Sequence, residues 1–150
     1  MVMRVSSRIL LIVAILVCAC GRSPRVPGAE TLAVQQAAIE FLARQSSATA
    51  CVQIATGPGE LVDGLVAKNL QDPPSELLRA IRSKGVIARP YSTCHEGVVI
   101  AVGWPAVGGK HATVPADWLC GPGCGNGYEV EVVKDASGWR GIGAKVTWMS

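Results

Sequence analysis

The stretch YEVEVVKDASGWRGIGAKVTWM, Tyr128–Met149, decides the fold class. Tyr128, Val130 and Val132 alternate with Glu129 and Glu131, which is the period-two pattern of a half-buried strand. Asp135, Ala136, Ser137 and Gly138 then supply turn residues. The chain returns from Trp139 to Met149 with Ala144, Val146 and Trp148 on one face and Lys145 and Thr147 on the other. Two alternating runs joined by a polar turn predict an antiparallel hairpin.

Working back from the hairpin, Gly97–Trp104 is an apolar run ended by Pro105, and Ala112–Leu119 carries Val114 and Trp118. Pro115 inside the second run predicts an edge or bulged strand. The first half reads differently. Val34, Ala37, Ala38, Phe41 and Leu42 recur at helical spacing within Thr31–Ser46, with Glu40 and Arg44 an i,i+4 pair on the other side. Asp72–Lys84 predicts a second helix, with Asp72 as N-cap, Pro73 at the first position, Glu76 near the positive end and Gly85 past the end. Ala50–Thr56 predicts a short strand, while Glu60–Leu70, interrupted by Gly64, yields no assignment. The expected architecture is α+β: a mostly antiparallel sheet of about four to five strands with two helices packed on it, forming one domain over residues 30–150.

Composition narrows the function classes. The chain has 150 residues and is 49% hydrophobic, but sixteen of its first twenty residues are apolar. The remainder is about 45% apolar, an ordinary globular value. Basic residues number 14 against 11 acidic ones; without Arg4 and Arg8 the balance falls from +3 to +1. No basic run is present, so a nucleic-acid partner is not expected.

The first twenty residues, MVMRVSSRILLIVAILVCAC, place Arg4 and Arg8 before nine unbroken apolar residues, Ile9–Val17, and then small residues. This is the layout of a secretory signal. A membrane span needs about 20 apolar residues, and Gly21, Arg22, Ser23 and Pro24 end the run too early. Val17-Cys18-Ala19-Cys20 resembles the lipobox of bacterial lipoproteins. The resemblance implies cleavage before Cys20, a diacylglycerol on its sulfur and attachment to a membrane through that lipid. It divides the chain into a signal at 1–19, a lipidated cysteine and tether at 20–29 and the domain beyond. Gly21 lacks the acidic character that favours inner-membrane retention, so the expected destination is the outer membrane in a Gram-negative cell, otherwise the outer face of the cell membrane.

Six cysteines become four once Cys18 and Cys20 belong to the address: Cys51, Cys94, Cys120 and Cys124. Export to an oxidising compartment favours disulfides, and four cysteines allow three pairings. Gly121-Pro122-Gly123 can turn the chain back sharply, which favours Cys120–Cys124 and leaves Cys51–Cys94. The alternative pairs Cys51 or Cys94 with one end of the tight loop. CGPGC is similar to the thioredoxin Cys-Gly-Pro-Cys with a glycine inserted. That chemistry needs two intervening residues and a following helix, and neither is present.

The inventory for catalysis is thin. Glu129 and Glu131 share one strand face, which a solvated sheet surface explains. His95 lies between Cys94 and Glu96, and His111 follows a Gly-rich turn. No nucleophile elbow, zinc-protease helix motif or phosphate loop occurs, so no catalytic residue, metal or cofactor is assigned. The leading expectation is a membrane-anchored, extracytoplasmic, disulfide-stapled domain with a non-catalytic binding or envelope structural role; its ligand, small molecule or protein, is unknown. The alternative is a small secreted enzyme or metal-binding protein using His95, His111 and the cysteines. The closing hairpin resembles the end of many uncharacterised bacterial secreted proteins. The element order is weakly similar to the cone-shaped nuclear-transport-factor-2-like fold, from which no ligand or residue is carried over.

Overall fold

A computed structural model describes residues 27–59, 69–150 and, as backbone, 61–62 and 65–66. The leader, Cys20 and the tether as far as residue 26 lie outside the described residues. The elements run α1 (Ala29–Ala43), β1 (Ala50–Ala55), β2 (Leu61–Val62), β3 (Leu65–Val66), β4 (Leu70–Gln71), α2 (Ser75–Ser83), β5 (Ala88–Pro90), a single 3-10 turn (Tyr91–Thr93), β6 (Val98–Val102), β7 (Ala106–Gly108), β8 (His111–Gly121), β9 (Cys124–Asp135) and β10 (Gly138–Met149). The expected hairpin is β9–β10, and β8 extends it into an antiparallel meander.

The sheet is larger than the sequence indicates. It holds eight strands in the order β10-β9-β8-β6-β1-β4, with β5 also on β1 and β7 also on β8; β2 and β3 pair separately. β4, β5 and β7 are two or three residues long. Runs that short show no alternation, which is why a count of four to five misses them. The sheet is mostly antiparallel, but β1 runs parallel to β5 and β6, so α2 lies in the crossover that parallel neighbours require.

β8 also corrects the reading of Pro115. The strand is interior, flanked by β9 on one side and by β6 and β7 on the other. Within an antiparallel strand a residue's N–H and C=O point the same way. The Pro115 carbonyl accepts from the Gly103 N–H at 2.7 Å, so its missing N–H also faces the β6 side, where the chain leaves β6 to begin β7. The ladder to β9 loses nothing at this position.

Two irregularities in β10 re-aim its side chains. Register shifts fall between Gly141 and Gly143 and between Val146 and Trp148. Trp148 therefore pairs beside Gly127 and lies on the opposite face from Ala144 and Val146, correcting the expectation of a single face for all three. Its indole N–H donates to Asp117 Oδ1 at 3.2 Å. A Cβ at Gly127 would sit 1.9 Å from that indole nitrogen, so glycine makes room for the ring.

The core lies between the helices and one face of the sheet. Ile39, Leu42, Ile54, Ile81, Ile100, Val52, Val114, Val130 and Val132 are fully buried, each contributing about 1.5–3 kcal/mol by leaving water. α1 buries Gln35 and Ile39 as well as the expected Val34, Ala37, Ala38 and Leu42, because it packs on α2 as well as on the sheet. Gln35 Nε2 donates to the Ala55 and Gly103 carbonyls at 2.9 and 3.1 Å, tying α1 to the ends of two neighbouring strands.

α2 begins later than expected. Pro73-Pro74 holds the chain extended, because the residue before a proline avoids helical geometry, and Pro74 occupies the N-cap. Asp72 makes no cap; its carboxylate instead accepts from the backbone N–H and the hydroxyl of Ser92. Glu76 does stand in the first turn, where its own backbone N–H and the Ser75 hydroxyl hold its carboxyl below the ordinary value. Among the described residues no helix is long and apolar enough to cross a membrane.

Candidate functional site

The expected cysteine framework is present. Cys51 and Cys94 are joined with Cα atoms 5.5 Å apart, and Cys120 and Cys124 with Cα atoms 5.2 Å apart. The first bond ties the buried strand β1 to the segment leading into β6, and the second closes the β8–β9 turn. All four thiols are consumed. Among the described residues no cluster of three or more His, Cys, Asp or Glu side chains could hold a metal ion.

The two histidines lie far apart. His111 begins β8, whereas His95 precedes β6, which enters the sheet opposite Leu119. Eight residues of extended strand, about 27 Å, separate those two levels. His95 is exposed beside the Cys51–Cys94 bond. His111 lines an open groove of about 400 Å³ with Thr113 and Glu131 and the apolar Ala106, Val133 and Ile142. Glu131 pairs beside Thr113, one step along the face from the His111–Val133 pair. Among the described residues His111, Thr113 and Glu131 share no hydrogen bond, so this groove holds no oriented nucleophile and base.

A second cleft of about 360 Å³ opens between the polar side of α1 and the β9–β10 turn. Gln36, Glu40 and Arg44 recur every four residues along α1 and face it together. Gln36 Nε2 donates to Glu40 Oε1 at 2.8 Å, and Arg44 Nη2 stands 3.8 Å from Glu40 Oε2. Lys84, the C-cap of α2, and Arg140, just past the turn, complete a set of three cations. Phe41 and Trp139 supply the aromatic wall. Gly141 lets α1 approach, since a Cβ there would meet Phe41 Cβ at 2.6 Å.

The turn that carries Arg140 is held by Asp135. Its Oδ1 accepts from the Ser137 hydroxyl at 2.6 Å and the Ser137 N–H at 2.8 Å, and its Oδ2 lies 3.4 Å from Arg140 Nε. The Ser137 hydroxyl, then the Ser137 N–H, and beyond them Arg140 keep the Asp135 carboxyl below the ordinary carboxylate value. Lys134, one residue earlier, pairs with Glu30 at 3.2 Å and sits 5.5 Å from the Trp139 ring centre.

Sequence reading singled out the Glu40–Arg44 pair and the turn but not this cleft. Arg44, Lys84 and Arg140 are spread over almost a hundred residues, so no local spacing links them. Compared with known proteins, the chain matches no family model, no curated protein and no solved structure. What the geometry defines is a disulfide-stapled α+β domain with a cationic cleft on its helical face.

Proposed function

We propose that this protein is a lipid-anchored extracytoplasmic protein whose folded domain works by binding rather than by catalysis. The observation that carries the reading is the pair of disulfides behind a signal-like leader. Two disulfides that consume all four cysteines of the domain suit an oxidising compartment. The VCAC sequence, Val17–Cys20, offers the modification that would hold such a domain at a membrane. Two or more acyl chains make attachment stable, each buried CH2 contributing about 0.8 kcal/mol. The binding half of the reading is supported by the cleft, where polar and aromatic side chains from α1, α2 and β10 converge.

The anchor is tested by Cys20→Ala. The variant is expected to accumulate as unprocessed precursor and to lose incorporation of labelled palmitate, while the parent carries label in the membrane fraction. Equal labelling of variant and parent would overturn the assignment.

A further inference from the structure

We infer that the cleft between α1 and the β9–β10 turn binds a small anionic saccharide, gripping a carboxylate or phosphate with Arg44, Lys84 and Arg140 and laying a ring against Trp139. The inference rests on the binding half of the proposed function and is independent of the lipid anchor.

Charge accounting within the cleft supports an anion. Both Glu40 oxygens are engaged, one by Gln36 and one by Arg44, and the Glu40 side chain is only 14% exposed. Asp135 is occupied by Ser137. The cations are not spent to the same degree. Arg44 and Arg140 are 62% and 60% exposed and each meets its acid through one nitrogen at 3.8 or 3.4 Å. A guanidinium has five N–H donors, so most remain for a ligand. Among the described residues Lys84 has neither an ion pair nor a hydrogen bond from its ammonium. Donors therefore exceed acceptors where three elements meet, the arrangement that recognises an oxyanion.

The body of the ligand follows from the rest of the lining. A volume of about 360 Å³ is at the lower end of the range for small-molecule sites. Gln36, Glu40, Arg44, Lys84, Ser137 and Arg140 make up much of the wall, which disfavours an acyl chain and suits a hydroxyl-rich body. Trp139 is half-buried and lines the same cleft, and with the Lys134 ammonium 5.5 Å from its ring centre on one side, its other face is the one against which a sugar ring would lie. A sugar acid or sugar phosphate satisfies all three conditions.

The test is calorimetric titration of the intact processed protein in detergent with digalacturonate, glucose 6-phosphate and neutral cellobiose. Saturable binding of either anionic sugar, with cellobiose at least about tenfold weaker, is expected. Which anionic sugar binds tells carboxylate from phosphate. Lys84→Glu, which breaks no ion pair, and Arg140→Gln are each expected to weaken binding about tenfold or more, and Arg89→Glu on strand β5, outside the cleft lining, to leave it unchanged. Circular dichroism establishes that each variant is folded. Absence of saturable binding up to about 10 mM, equal affinity for cellobiose, indifference to Lys84→Glu, or binding to phosphatidylglycerol vesicles alone would overturn the inference. Equal palmitate labelling of Cys20→Ala and the parent, with sugar binding intact, would defeat the anchor and leave this site standing; labelling lost in Cys20→Ala with no sugar binding by the parent would defeat the site alone.

Discussion

Gly127 shows how much one missing side chain decides. The bulge in β10 lays Trp148 across it, and the indole N–H reaches the buried Asp117. Gly127→Ala would put a methyl group where the indole nitrogen now stands, so the ring must lift and its hydrogen bond must break. A loss of about 1–3 kcal/mol is expected, measured by urea denaturation; unchanged stability would mean that Trp148 does not occupy this place. The sequence makes Gly127 look like turn geometry beside the Cys120–Cys124 loop. The steric reason for it becomes visible only when Trp148, twenty-one residues later, is brought alongside.

At the scale of an element, the β9–β10 turn is the clearest case of local instruction. Asp135, Ser137 and Gly138 are turn residues in the sequence, and they make the turn through bonds among themselves and with Arg140. Those bonds give the turn a pH dependence. With its carboxyl lowered on folding, Asp135 binds its proton more readily in the unfolded chain. Its contribution is fully present above the unfolded value of about 3.9 and is lost as pH falls through the lower, folded value. Acid is thus expected to loosen the turn and the Arg140 side of the cleft. NMR titration of the Asp135 carboxyl checks this, and a midpoint at or above the ordinary carboxylate value would contradict it. Helix α2 is the contrasting element. Its amphipathic face was legible in Leu77, Leu78 and Ile81, all of them buried, but its start was not. Asp72 is an eligible cap by type, and the paired prolines together with the Ser92 partner across the turn assign it elsewhere.

Across the whole molecule, the two disulfides constrain very different lengths of chain, with sequence separations of 43 and 4. Loop entropy then assigns about 4 kcal/mol to Cys51–Cys94 and about 2 kcal/mol to Cys120–Cys124. Paired Cys→Ala variants compared by urea denaturation are expected to lose stability in that order, and the reverse order would show that unfolded-state entropy is not the main source. Limited reduction is expected to open the bonds in the opposite order, because Cys124 is exposed whereas Cys51 is only 3% exposed.

Local chemistry by itself determined the hairpin, the two helices, the α+β class and the tight Cys120–Cys124 pairing. Each depends on periodicity, turn residues or a short loop, and these act between residues close in the chain. The tertiary structure decided the parallel pairing of β1 with β5 and β6, the interior place of β8 despite Pro115, the turning of Trp148 to the other face and the gathering of Arg44, Lys84 and Arg140 around one cleft. Those outcomes depend on which surfaces meet when α1 and α2 bury their apolar sides against the sheet. That packing is set by the total apolar area removed from water, and no short window of residues encodes it.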